Sequence, residues 1–584
     1  MSKTLSLPQK DAHLSSRTEQ LLARQAEYRL VVRRGLPVGE TFHPRDKPGS
    51  GWVLKLLVAC YKNRANTEEY LKICGRKFTA EFPTKSPKDL VKLLLSKDFS
   101  EILGYYLPRM GLITSGNPRP NGLEDYRKIF QKEPLPKIAD HFLEDWVFAR
   151  GFVAGPNPMM LRRLNAPLAK LRISNEIFTR GPDFANDSLN TAIGEGRVYI
   201  ADYALAAALQ NGAHPQQPKF LTSPIVMLAV PKGGRSLVPV AIQTGQDEQS
   251  RIVTPFDGWT WQMAKHAVHA VDGTYQEVVC HLGWTHLVVE PFVVATRRHL
   301  AEQHPVYALL SPHFEGTMPI NALAFGRLIN EGQDVDTLVG CTMPSAYKLL
   351  GDSRLNFSFS DNYAPLDIAS RGLDDLSRLP DHPYRDDALL IWSAIRGWTS
   401  DYIDHFYKTD DDVVRDHELG NWAGELADPA GGAIKNLGMS GKIRTKEVLK
   451  DVLTMVIFTS SAQHAAVNFA QKTDMAFHPG YPLASYKLLP NQGEASEQDY
   501  LDILAPIDVA FRSQQSLIFL GSLRYGRLGH YGKNYFADPA LKTLMLKFQS
   551  KLGEIESTIA ARNAQMTLPY VHLMPSLIPQ STNI

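Results

Sequence analysis

The sequence predicts a mainly α protein: a large helical body around two long apolar helices, with a small β-sheet region packed on its side. Three observations carry this. Between residues 255 and 562 apolar residues recur with helical period. Alternating runs of strand type are confined to residues 195–245. At 584 residues, 44% hydrophobic and 21% charged, the chain can fill a large core, which excludes collagenous, disordered and coiled-coil architectures.

Taken in order, residues 1–110 hold 20 Lys and Arg against 11 Asp and Glu, although the net charge of the whole chain is only +2. Breaks at Gly35–Pro37 and Pro48–Gly51 separate apolar periodic stretches, among them Gly51–Tyr61 and Lys88–Leu95, so the region is predicted helical. Its basic balance on an acidic remainder predicts peripheral contact with an anionic membrane, and no nucleic-acid partner is expected. Residues 112–137, rich in Pro, Gly and Asn, read as a linker and divide the chain into a basic N-terminal region, 1–115, and a main domain, 116–584. Gly196–Ala201 reads as a strand, and Ile225–Val230 and Ser236–Ile242 flank a Pro-Lys-Gly-Gly turn as a hairpin. Val452–Ala470 has the length of a membrane span, ~20 residues. It carries Ser460, Ser461, Gln463, His464 and Asn468, which are costly in lipid, so it reads as a buried helix. The four cysteines show no metal-finger spacing and Met1–Lys10 no apolar signal segment, which predicts a reducing, cytoplasmic setting.

Eighteen histidines are present, and two apolar helices carry the informative ones. Thr274–Leu300 contains His281 and His286, five residues apart. On a regular α-helix they would point roughly 140° apart and could not share an ion. A local π-helical turn brings i and i+5 onto one face, and such turns concentrate at functional sites. His464 and Asn468, at i and i+4, share a face without distortion. Other pairs compete: His299 with His304, His266 with His269, and His313 with Glu315, which could serve a two-histidine, one-carboxylate iron site. Spacing does not choose among them.

Longer blocks do. Trp284–Ala324 (WTHLVVEPFVVATRRHLAEQHPVYALLSPHFEGTMPINALA) closely resembles the core signature of lipoxygenases. Four further blocks follow the family order: DWVFARGFVAGPNP from Asp145, DHPYRDDALLIWSAIRGW from Asp381, YKTDDDVVRDHEL from Tyr407 and SSAQHAAVNFAQ from Ser460. The chain ends, as in the family, on Ile584. The resemblance spans roughly residues 140–584 and implies a lipoxygenase-type catalytic domain. It implies one non-haem iron held by His281, His286, His464, Asn468 and the carboxylate of Ile584, with water or hydroxide in the sixth position. Manganese suits the same ligands. Glu277 and Gln471 match the family's polar link between the iron helices and the substrate cavity. The implied reaction is dioxygenation of a polyunsaturated fatty acid with a cis,cis-1,4-pentadiene, such as linoleate, linolenate or arachidonate. Fe(III)-hydroxide takes a hydrogen atom, O2 adds to the pentadienyl radical, and a fatty-acid hydroperoxide results.

Ala324 matches the family's Ala/Gly position, where Ala accompanies S products. Leu328 and Val335 match pocket-lining positions. Tyr481 stands where plant members place an arginine deep in the pocket, so carboxylate-first entry is not expected from that residue. The N-terminal β-barrel of many members is not recognisable in the basic region that precedes the catalytic blocks, as in some bacterial members. Two other readings of the same residues are a fatty-acid hydroperoxide isomerase and a non-catalytic lipid-binding relative; five intact ligands argue against the second.

Overall fold

The computed structural model describes residues 4–40, 43–46, 49–75, 118–215, 217–438, 441–532 and 535–584. Lys88–Leu95 and the boundary at 115/116 lie outside these residues.

The first described segment differs from its helical expectation. Helix α1 (Leu14–Glu27) is followed by a hairpin, β1 (Leu30–Arg33) and β2 (Leu36–Gly39), and then by helix α2 (Ser50–Ile73). The hairpin closes through Arg34 and Gly35, both at positive φ (51° and 77°), the geometry of a two-residue primed turn. Four-residue strands without an Asn-Gly or Asp-Gly turn leave little alternation to read, which is why the sequence hid them. The segment packs on the body. Arg17, itself buried, pairs with buried Glu418. Residues 118–137 are also packed rather than linker-like: Tyr126 and Ile129 are 1% and 2% exposed. Pro and Gly mark irregular backbone, not its exposure.

The sheet region is antiparallel throughout, in the order β3 (Arg162–Arg163), β4 (Val198–Asp202), β5 (Ile225–Ala229), β6 (Val238–Gln243), β7 (Ile252–Val253). Both predicted strand sites are present. Tyr199, Ala201, Val226, Leu228 and Ile242 face the main core, whereas Val198, Ile200, Met227 and Ala229 face a smaller cluster around Phe178 and Phe184. This is period-two alternation with both faces covered.

Four long helices build the body. Helix α3 (Gly258–His299) is 42 residues long, with its most apolar stretch 89% buried. Helix α4 (Pro383–Phe406) packs along α5, the helical run over residues 446–475. After the shorter α6 (Ile507–Leu520), helix α7 (Pro539–Asn563) lies along α4, where Phe548 stacks on Trp398 at 5.9 Å. Val452–Ala470 is buried in protein, as its polar content predicts. Val289, Phe292 and Val293 of α3 meet Leu453, Val456 and Ile457 of α5 in one core. Pro291 sits inside α3 and donates no hydrogen bond to Leu287. The orphaned Leu287 carbonyl instead accepts from Arg354 Nε at 2.7 Å. All four cysteines are free thiols.

Candidate metal centre

Helix α3 changes pitch where it meets α5. Gln276–His286 is π-helical and Leu287–His299 returns to α. The wider turn puts His281 and His286 on one face, as their spacing requires. On α5 a π-turn over Thr459–Gln463 precedes a regular turn, His464–Asn468. The helices are tied where they cross, Gln276 Nε2 donating to the Val467 carbonyl at 2.7 Å.

Three imidazoles converge there. His286 Nε2 lies 3.1 Å from His464 Nε2 and 3.3 Å from His281 Nε2, and all three residues are buried. Outer partners assign the tautomers. His286 Nδ1 faces Asn321 Oδ1 at 2.7 Å and His281 Nδ1 faces Glu277 Oε2 at 3.3 Å. Both Nδ1 atoms therefore carry the proton, and both Nε2 atoms present lone pairs. Burial, and then the neighbouring His281, pushes His286 down to about 3; burial and the two other rings push His464 well below its ordinary value. Neutral imidazole nitrogens facing one another with no proton between them repel unless a cation lies among them. The donor set fits a transition metal of imidazole preference.

The other predicted residues lie around this point. Asn468 donates from Nδ2 to the Leu520 carbonyl at 3.1 Å, leaving Oδ1, which accepts from Gln471 Nε2 at 3.0 Å. Gln471 Nε2 is also 3.5 Å from His281 Nδ1. Ile584 is 2% exposed, and its main chain hydrogen-bonds with His286 and His464. The preceding residues form a buried strap: Thr582 pairs with Thr317 at 2.7 Å and the Asn583 carbonyl accepts from Trp52 Nε1 at 2.7 Å. Gly316, at φ +81°, lets the strap through, because a Cβ there would lie 3.0 Å from Asn583 Cβ.

Sequence reasoning passed over Asn321 and Glu290. Asn321 holds His286 and donates from Nδ2 to Glu290 Oε2 at 2.7 Å. Both lie inside the block that carried the resemblance. The available signal was a lone polar side chain in an apolar run, THLVVEP and MPINALA.

The competing histidines have other partners. His304 is bound to Asp416 at 2.9 Å, His299 to Glu425 at 2.6 Å, and His313 to the Gln580 carbonyl at 2.8 Å. His266 and His269 are buried elsewhere on α3, His269 against Tyr481. Tyr481 itself donates to buried Asp272, which also accepts from Tyr203 at 2.8 Å and Asn157 at 2.7 Å.

Beside Glu277 is an apolar cavity walled by Leu328, Val335, Leu338, Leu483, Phe519 and Leu520. Leu328 and Val335 thus share a wall; Ala324 starts the π-turn Ala324–Leu328 and does not line it. At about 40 Å³ the cavity is far below the ~300 Å³ of pockets that enclose small ligands.

Buried imidazoles converging on one point beside an apolar cavity define a metal-dependent enzyme with an apolar substrate. Comparison with known proteins narrows the class. Residues 124–571 match the family model described as Lipoxygenase. The chain is 39% identical over 494 residues to a linoleate 9/13-lipoxygenase of Pseudomonas aeruginosa, covering 81% of this chain and 71% of that one. It is 32% identical over 474 residues to the polyunsaturated fatty acid lipoxygenase ALOX15B of Rattus norvegicus, covering 79% and 69%. An anaerobic crystal structure of a lipoxygenase in complex with arachidonate superposes with a TM-score of 0.84 at 26% identity, over 100% of this chain and 84% of that one. The chain belongs to the lipoxygenase family. It is an oxygenase, a fatty-acid dioxygenase with a catalytic metal.

Proposed function

We propose that the metal is iron, held by His281, His286, His464, Asn468 and the main-chain carboxylate of Ile584. The substrate is a polyunsaturated fatty acid with a cis,cis-1,4-pentadiene and the product its hydroperoxide. The observation that carries this is the convergence of His281 and His464 Nε2 on His286 Nε2, at 3.3 and 3.1 Å, at the point reached by the Ile584 main chain. Iron, when bound, supplies the one-electron chemistry for removing a hydrogen atom from the pentadiene methylene. The chain's own groups do the rest. Asn321 and Glu277 keep two imidazoles in the tautomer that offers Nε2. Gln471 donates from Nε2 to Asn468 Oδ1 and fixes that amide. Leu328, Val335 and Leu520 form a dry wall that orients an apolar chain beside Glu277. Metal analysis combined with oxygen uptake on linoleate and arachidonate, followed by chiral analysis of the product, tests the reading. One iron per chain and hydroperoxide formation are expected. Turnover of added hydroperoxide without oxygen uptake would point to an isomerase, and a loaded enzyme inert to both would leave a lipid-binding relative.

The work site is proposed to be a cytoplasmic membrane surface met by α2. Its outward face sets Leu54, Val58 and Tyr61, 57%, 47% and 71% exposed, beside exposed Lys55 and Lys62. Apolar side chains flanked by lysines suit an anionic bilayer interface. Reversing both charges, Lys55→Glu with Lys62→Glu, should weaken binding to phosphatidylserine vesicles and remove its salt dependence. Undiminished binding would sink the assignment of this face.

A further inference from the structure

Two hydrogen bonds join the N-terminal segment to groups that touch the histidine cluster. The first belongs to a chain of four groups. The Gly39 amide donates to Glu290 Oε1 at 2.8 Å, Glu290 Oε2 accepts from Asn321 Nδ2 at 2.7 Å, and Asn321 Oδ1 faces His286 Nδ1 at 2.7 Å. Asn321 Nδ2 also donates to the His286 carbonyl at 3.3 Å, which can only accept, so its Oδ1 faces the ring, with the proton on His286 Nδ1 and the lone pair on Nε2. The second is the bond from the Trp52 indole to the Asn583 carbonyl, one residue before Ile584.

Packing brings the same segment onto the same helix. Leu36 and Val38 of β2 join one core cluster with Val278 and Val279 of the π-helical stretch and with Leu287. Gly39 approaches so closely that a Cβ would lie 2.3 Å from Met318 Cε and 3.3 Å from Glu290 Oε1. A segment that merely covered apolar surface would need only the leucine and valine contacts. Here a carboxylate 3% exposed takes one of its hydrogen bonds from a backbone 251 residues away. A buried carboxyl group left without one of its donors is expensive, so the arrangement of Glu290 depends on the hairpin being seated.

We propose that the β1–β2 hairpin, Leu30–Gly39, and the start of α2, Ser50–Leu57, are a clamp on the metal centre, with Glu290 and Trp52 as the positioning residues through which their docking holds His286 and the strap at Ile584. The proposal rests on the reading of the histidine cluster as a metal site. When the clamp lifts, Glu290 loses a donor and Asn321 its fixed acceptor, and His286 is free to turn. The Asn583 carbonyl loses its buried donor at the same time.

The test is the rate at which loaded enzyme releases iron to excess chelator, together with the visible spectrum of Co²⁺ bound to the metal-free chain, which reports ligand geometry. Glu290→Gln, which sets a donor against Asn321 or Gly39, and Trp52→Phe, which deletes one N–H, should each release metal about 10-fold faster and alter the cobalt spectrum. Tyr126→Phe removes a buried hydrogen bond to the Ala505 carbonyl elsewhere in the molecule and serves as the control. It should lower the melting temperature without changing release. If either of these two variants fails to fold, the hairpin itself provides a second route. Gly39→Ala should speed release, and Met318→Ala added to it should restore the wild-type rate by making room. Wild-type release rates in Glu290→Gln, Trp52→Phe and Gly39→Ala would overturn the clamp. A wild-type chain that takes up neither iron nor cobalt would overturn the metal reading itself, and the clamp with it.

Discussion

The two helices that meet at the histidine cluster reach the same end differently. On α3 the pair is five residues apart and the backbone opens into eleven π-helical residues to align it. On α5, His464 and Asn468 are four apart and sit on an ordinary turn, with π-turns before and after. A spacing that is wrong for the α-helix announces its distortion in the sequence; a spacing that is right conceals its surroundings. The same α3 run then supplies a counterexample. His299 and His304 repeat the five-residue spacing, yet α3 ends at His299 and His304 caps the next helix, Pro305–Leu310. Spacing therefore marks a candidate, and what lies across from it decides.

The largest expected effect tests whether both helices are needed. His286→Ala on α3 and His464→Ala on α5 should each abolish metal retention and oxygen uptake, whereas Asn468→Ala should weaken metal binding only about 10–100-fold, the range for groups that tune a site. Full activity in His464→Ala would reduce the centre to α3 alone. Next comes the strap between the two helices. One residue added after Ile584 displaces the main-chain carboxylate by up to ~3.5 Å. Metal content should fall with it, while Ile584→Val keeps most activity; an extended chain with full metal content would remove Ile584 from the centre. The smallest effect concerns the counterexample. Burial alone would raise the Asp416 carboxyl, but His304, the Leu419 amide and the Tyr407 hydroxyl outweigh it and hold it below the usual range. A depressed folded-state value stabilises the fold above the unfolded carboxylate value of ~3.9 and loses that stabilisation as pH falls through the folded value. Asp416→Asn should thus destabilise the protein by about 2 kcal/mol near neutral pH. The difference from wild type should shrink on acidification, and metal content should not change. Metal loss in this variant would mean that His304 communicates with the centre after all.

Much of this was legible in the residues. The β5–β6 hairpin was announced by its Gly-Gly turn, and the π-helix by a spacing that no α-helix could use. The β1–β2 hairpin was not, because its strands are four residues each and its turn uses Arg34. At the centre, histidines stand out by residue type and the helix period places them. Asn321 and Glu290 are ordinary polar residues whose meaning comes only from what they face, His286 and the Gly39 amide. Those partners lie 35 and 251 residues away, beyond the reach of any local period. The cavity beside Glu277 shows the converse: the block around Ala324 can be recognised in the sequence, while its walls come from residues as distant as Leu483 and Phe519.

The bond between Trp52 and Asn583 spans 531 residues. Closing so long a loop costs chain entropy before any contact repays it, so such pairings form late in folding. A nascent chain can fold the body around α3 and α4 during synthesis, but it cannot seat the strap until almost the whole sequence has been made. Whatever the strap holds at the centre is therefore held late, after the body around the histidines has formed, and the Trp52–Asn583 bond is a mark of completed rather than beginning order.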